Sequence, residues 1–227
     1  MFAGLPNYLV ITFLAAVALT FQFLMSAARV KRWPVIIMSA WLLVSGALAF
    51  GDFFADTSGM PPRFILAVAP PFIFIILLLI TKKGQGFLES LDIRMLTLLH
   101  VVRIPVELSL YWLAAEKLVP GLMTFEGRNF DVISGLTAPV MYFLCFKNGK
   151  IIRRKLLLYW NLLCLALLIN IVVNAVLSAP FSFQRFAFDQ PNIAVLYFPF
   201  VWLPAFIVMV VFLSHLVVIG RLQQKTE

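Results

Sequence analysis

The sequence predicts an all-α, polytopic membrane bundle of seven transmembrane helices, and three observations carry that prediction. Seven continuously apolar stretches take up most of the 227 residues, hydrophobic residues make up 63% of the chain against 12% charged, and nearly every charge falls in the short gaps between stretches. A hydrocarbon core about 30 Å thick needs roughly 20 apolar residues per helix, which is the scale of these runs. A soluble domain carries about twice as many charged residues, because its surface must face water. Helix is favoured over barrel because the runs are continuously apolar rather than alternating, and because in lipid each segment must satisfy its own backbone groups.

The chain reads as one transmembrane domain over residues 1–227. The first stretch, roughly 5 to 28, has no basic region ahead of it and no small-residue cleavage site before a polar mature domain, so it predicts a retained helix rather than a signal peptide. The second, roughly 34 to 51, follows Arg29, Lys31 and Arg32, and the third, roughly 63 to 81, stops at Lys82 and Lys83. The fourth, roughly 93 to 115, holds His100, Arg103 and Glu107, and the fifth, roughly 131 to 146, ends at the basic run Lys147 to Lys155. The sixth, roughly 156 to 178, carries Asn161, Asn170 and Asn174, and the seventh, roughly 193 to 219, carries His215 ahead of Arg221. Trp33, Tyr159 and Trp160 at one set of ends, with Tyr8 and Tyr197 at the other, suit an interfacial aromatic belt. Cys145 and Cys164 lie inside apolar stretches and imply no disulfide framework.

The net charge of +8 first suggests a nucleic-acid binder, but the placement of the basic residues excludes that class. Four gaps, after the first, third, fifth and seventh stretches, hold 13 of the 18 lysines and arginines: Arg29, Lys31, Arg32; Lys82, Lys83, Arg94; Lys147, Lys150, Arg153, Arg154, Lys155; and Arg221, Lys225. The other gaps hold Arg63, Lys117, Arg128 and Arg185. Positive-inside bias then predicts a cytoplasmic C-terminus and an outside N-terminus, with Lys147 to Lys155 as the topology anchor and a contact for anionic lipid.

An odd helix count invites a three-plus-one-plus-three reading, with the fourth helix linking two similar halves. Its support is one echo: Phe54-Ala55-Asp56 with Pro62 and Pro70, against Phe186-Ala187-Phe188-Asp189 with Pro191 and Pro199.

The fourth stretch carries the strongest functional signal. His100, Arg103 and Glu107 are three and four residues apart, which sets them within about 60° of one helix face. Counted from Arg94 at about 1.5 Å per residue, Arg103 lies about 13 Å and Glu107 about 19 Å into the bilayer. Ionisable groups at such depth are costly unless paired or set along a wet cavity, which marks a substrate or proton path. A buried ion pair between Arg103 and Glu107 that locks the helix to its neighbours is the structural alternative. Pro105 removes a backbone donor and frees the carbonyl of Val101, and Tyr111 continues the face outward. Asn170 and Asn174, four apart, bridge helices or line the path. On the outer side, Glu126, Arg128, Asn129, Asp131, Asp189 and Gln190 stand among phenylalanines, either as a lid over the bundle mouth or as a solvated interfacial belt.

No Walker loop, His-Glu-x-x-His, Gly-x-Ser-x-Gly or Cys-x-x-Cys motif is present, no metal set is expected, and the seventh stretch has no lysine for a retinal Schiff base. His100 and His215 sit at similar depth, six residues from Arg94 and Arg221, and could ligate one haem, but two unrelated histidines is the stronger reading, so no cofactor is expected. The segments His100 to Glu107, Phe125 to Asp131 and Phe186 to Trp202 resemble stretches of uncharacterised bacterial integral membrane proteins, over most of the chain. The resemblance implies a bacterial inner-membrane location and supplies no residue roles.

The leading expectation is binding, and movement, of a small polar or anionic solute at a site bounded by the fourth helix. There Arg103 would pair with the solute, Glu107 would exchange a proton or hold Arg103 when empty, and His100 would relay protons. The alternatives are an intramembrane enzyme acting on a lipid or quinone-like substrate at Glu126, Arg128, Asp131 and Asp189, and a non-catalytic sensor or assembly subunit. Expected partners are membrane lipid and a small-molecule ligand, with homo-oligomer formation left open and nucleic acid excluded.

Overall fold

A computed structural model describes residues 4–29 and 32–224, with 72% of the chain helical. Lys31, Lys225 and the side chain of Arg32 lie outside the described residues. Helix α1 (Asn7–Ala27) starts after Pro6, and buries Leu9, Phe13, Ala16, Thr20, Leu24 and Ala27 at helical spacing against α5 and α6. Helix α2 (Arg32–Phe50) is peripheral and is tied in by two indole N–H donors: Trp41 Nε1 to the Ala205 carbonyl and Trp202 Nε1 to the Leu42 carbonyl, each at 3.0 Å. Helices α3 (Ile65–Ile80) and α4 (Lys82–Ser90) form a pair bent by 93°. Thr81 caps the bend by accepting from the Gly84 N–H, and Gly84 lies so close to Leu78 that a Cβ would stand 2.4 Å from its carbonyl oxygen. The gap expected after the third stretch is therefore a short helix, with Phe87 and Leu88 buried and Lys82 and Lys83 exposed.

Helix α5 (Ile93–Leu99) runs through a 3-10 turn (His100–Val102) into α6 (Arg103–Ala115). The tight turn falls where Pro105 cannot donate to the Val101 carbonyl, so the chain winds more tightly just ahead of it. Helix α7 (Val132–Cys145) has only 14 residues. At about 1.5 Å per residue it is about 21 Å long, so its first turn starts inside the bundle rather than at its rim. A hairpin follows, β1 (Phe146–Lys147) paired with β2 (Lys150–Ile151) through Asn148 (φ 50°) and Gly149 (φ 76°). Asn-Gly supplies the two left-handed residues that a two-residue hairpin turn requires, a small exception to the all-α expectation. Helix α8 (Arg154–Leu177) lies against the last helix, which opens with a π turn (Leu203–Ile207) and continues as α9 (Val208–Gln223).

By length and composition, five helical segments can cross a membrane: α1, α2 from Trp33, α5–α6, α8 and the π–α9 segment. The bent α3–α4 pair makes a sixth. The main correction concerns the seventh stretch. Residues 193–201 are loop and turns, with a 3-10 turn at Ala194–Leu196, and the last helix begins only with the π turn at Leu203. A helix running on from residue 193 would need the N–H of residue 199 as a donor, which Pro199 lacks, and Pro191 and Pro199 bias the residues before them away from the α conformation. Pro204 falls in the first turn of the helix that does form, and the apolar residues Val195, Leu196, Phe200 and Val201 are buried as packed loop. The two proline-bearing segments of the proposed echo also differ locally, since Pro70 is inside α3 and Pro199 precedes the π turn.

The described basic residues of the gaps after the first, third, fifth and seventh stretches gather at one end, where Arg29, Arg94 and Arg221 line one hollow. There the Asp92 N–H donates to the Ala27 carbonyl at 2.9 Å, Arg221 to the Leu91 carbonyl at 2.7 Å and Arg154 to the Leu222 carbonyl at 2.8 Å. The opposite end is closed by Gln190 and Ile193 bonded to the turn after α6, and by Phe64 against Phe181. Trp160, expected in the interfacial belt, instead turns inward and donates from Nε1 to Thr137 Oγ1 at 2.9 Å.

Candidate functional site

Arg103, at the start of α6, is 3% exposed and sits at the junction of four elements. Its Nη1 donates to the Asp131 carboxylate ahead of α7 and to the Cys164 carbonyl of α8, and its Nη2 donates to His215 Nε2 of α9 at 2.8 Å. A guanidinium has no acceptor, so His215 Nε2 must accept and the ring's proton must be on Nδ1. Nδ1–H then donates to Asn161 Oδ1 of α8 at 3.0 Å, and the Asn161 amide donates to the Leu157 carbonyl at 2.9 Å. This chain is self-consistent: each group is in the one role its neighbour permits.

His100 is fully buried in the 3-10 turn, with its ring parallel to that of His215 at 4.2 Å and edge-on to Trp160 at 5.5 Å. Ser214 spends its one hydroxyl proton on the Val211 carbonyl at 2.8 Å, so it accepts from His100 Nε2–H at 3.1 Å. His100 Nδ1 is left without a partner. On the other flank, Glu107 Oε1 accepts from Asn129 Nδ2 at 2.6 Å, and Asn129 Oδ1 accepts from the Asp131 N–H at 3.1 Å. Asn129 therefore links the Glu107 carboxylate to the backbone of Asp131, while Glu107 Oε2 and Arg103 Nε stay unbonded.

The arrangement differs from the expected ion pair in one respect that matters: Asp131, not Glu107, is the partner of Arg103. The short α7 explains it, because a helix that starts deep brings the residues before it, Asn129 and Asp131, down to the level of Arg103. Close packing at the same level allows this. A Cβ at Gly135 of α7 would stand 2.9 Å from Ile104 Cγ1 and 3.3 Å from the His100 carbonyl oxygen.

The other expected residues do not join this cluster. Tyr111 is at the surface, stacked on Phe125 at 5.1 Å. Asn170 is exposed and donates to the Arg128 carbonyl, and Asn174 donates back to Asn170, so this pair ties α8 to the loop before α7. Glu126, Arg128 and Asp189 are exposed, with Arg128 over the Phe186 ring at 5.3 Å, and Gln190 is a strut to the Ala114 and Val119 carbonyls. Of the proposed acidic and basic outer cluster only Asp131 is buried. The phenylalanines divide likewise: Phe54 and Phe181 are buried, whereas Phe125, Phe130 and Phe188 are exposed. Asn161 and Ser214 join the cluster unforeseen. A depth signal existed for Asn161, which stands six residues after Lys155 just as the two histidines stand six residues from Arg94 and Arg221.

Two stacked imidazoles, one with both nitrogens bonded to protein, do not fit a pair of axial ligands with a macrocycle between them. Among the described residues no group of three or more His, Cys, Asp or Glu side chains is placed to hold a metal ion. Beside the cluster is a chamber of about 300 Å³, walled by α3, α6, α8, the 178–202 segment and the start of α9. Its lining is apolar apart from Glu107, Asp131 and Asn192. A second hollow of about 480 Å³ between α2, α3 and α9 is lined by apolar and aromatic side chains such as Trp33, Trp41 and Phe74.

No family model, curated protein or solved structure matches this chain.

Proposed function

We propose that this chain is a seven-span protein of the bacterial inner membrane, with α7 as a short seventh span, the N-terminus outside and the basic end in the cytoplasm. In this reading the Arg103 cluster is an intramembrane site for binding and moving a small solute. The observation that carries it is the join: one buried guanidinium holds Asp131 and His215 together and so connects α6, the residue before α7, and α9. Side chains this costly to bury hold helices together only while their partners stay in place, so any solute or proton that competes for one of them loosens several spans at once. Asp131 replaces Glu107 as the group that holds Arg103 when the site is empty. Both terminal nitrogens of Arg103 are engaged, so an anionic solute must first displace Asp131.

The experiment is proton movement in proteoliposomes containing a trapped pH-sensitive dye, with a panel of small polar and anionic solutes added outside. Wild type is expected to move protons with at least one solute, and Asp131→Asn and Glu107→Gln to lose that movement. A wild type inert to the whole panel, or variants that retain full movement, removes the reading. The apolar chamber beside Glu107 favours a second reading, in which the ligand is lipid-like or quinone-like. The acidic groups it would use are then Glu107 and Asp131 rather than the exposed Glu126 and Asp189.

A further inference from the structure

The chamber between α3, α6 and α8 has the apolar walls of a lipid-facing gap, but two of its polar side chains are not satisfied as such a gap would require. Glu107 and Asn192 are 2% and 1% exposed, both line the chamber, and each keeps one buried oxygen, Oε2 and Oδ1, that no hydrogen bond uses. The Asn192 amide nitrogen is already committed to the Ala175 carbonyl, which fixes the idle atom as an acceptor. A buried acceptor without a donor costs about 1–3 kcal/mol, and apolar walls offer nothing to offset it. Asp131 adds a third carboxyl or amide group to the same lining, so the polar part of the wall is acidic.

We infer that this chamber is the binding site for a small amphipathic molecule with an apolar body and a hydrogen-bond-donating head, a hydroxyl or an ammonium group, which meets Glu107 Oε2 and Asn192 Oδ1. The inference rests on the second reading above, a lipid-like ligand in the chamber beside Glu107, and names the head group that fits it. The volume of about 300 Å³ is at the lower bound of small-molecule pockets and admits one short chain or one ring system. A carboxylate or phosphate head is disfavoured, since its oxygens bring no donor to Asn192 Oδ1 and would stand beside the Asp131 carboxylate with both ends of Arg103 taken.

Native mass spectrometry of the full chain released from nanodiscs tests this, with dodecylamine, dodecanol and dodecanoate each supplied in the lipid. One dodecylamine or dodecanol is expected to remain per chain, with dodecanoate about tenfold less retained, the scale of one lost charged hydrogen bond. Val68→Trp, which fills the chamber from α3 without removing either oxygen, and Asn192→Leu are each expected to lower retention about tenfold. Glu107→Gln weakens dodecylamine more than dodecanol if the head is an ammonium, and both equally if it is a hydroxyl. Failure to retain either donor-headed probe, equal retention of dodecanoate, or retention unchanged in Val68→Trp and Asn192→Leu overturns the inference. Because no gradient is used, retention without any proton movement in proteoliposomes would remove the transport reading and leave this one standing.

Discussion

Arg103 and Asp131 form the contact on which the buried cluster depends, and its energetics are asymmetric. Removing one partner strands the other in a dry interior, whereas replacing both with apolar groups removes the desolvation penalty as well. Asp131→Asn is therefore expected to destabilise the protein by about 3–5 kcal/mol, and Arg103→Met with Asp131→Leu to recover most of that loss. Thermal unfolding of the three proteins in one detergent checks this, and a double variant as unstable as the single one contradicts it. A second residue of note is Asp92, whose side chain caps α5 and binds Arg94 at the basic end. The Arg94 hydrogen bonds hold its carboxyl below the ordinary range. A folded-state pKa below the unfolded one gives stability that is present above the unfolded value and lost as pH falls through the folded one. Asp92→Ala should thus cost about 1 kcal/mol at neutral pH, and the gap from wild type should shrink on acidification.

The helices and turns carry constraints that no single contact shows. Helix α7 can start deep only because Gly135 lets it close on the 3-10 turn, so Gly135→Ala is expected to push α7 away from His100 at about 1–3 kcal/mol of overpacking. A loss of stability together with weakened Arg103–Asp131 pairing, read from hydrogen exchange at the start of α7, would bear this out, while an unchanged protein would show that the contact can relax. Sequence reading located α1, α2, α3, the α5–α6 unit, α7 and α8 as helices to within a few residues, because uninterrupted apolar runs leave the backbone no solution in lipid but to bond to itself. It missed α4 and displaced the last helix because both depend on Gly and Pro. Gly84 permits a right-angle bend that hydropathy cannot register, and Pro191 and Pro199 interrupt a run whose composition is indistinguishable from helix. The Asn148-Gly149 hairpin was missed as well, although Asn-Gly is one of the strongest turn signals a sequence carries.

For the whole molecule, the charge distribution makes one prediction about orientation. In a background lacking Cys145 and Cys164, a cysteine at Lys150 should be protected from an impermeant maleimide in intact cells and a cysteine at Arg185 labelled; the reverse pattern inverts the bundle. The sequence by itself determined that the chain is mostly helical, that several of its helices are long and apolar enough for a bilayer, and that His100, Arg103 and Glu107 share a face. These follow from hydropathy and from 3.6 residues per turn, which are local properties. Only the tertiary structure decided that Arg103 answers to Asp131 and His215, that Asn161 and Ser214 complete the cluster, and that Glu107 and Asn192 face one chamber. Those pairings join residues 28 to 114 positions apart, and which faces of separate helices meet is set by side-chain packing and proline-broken turns rather than by the pattern within any one segment.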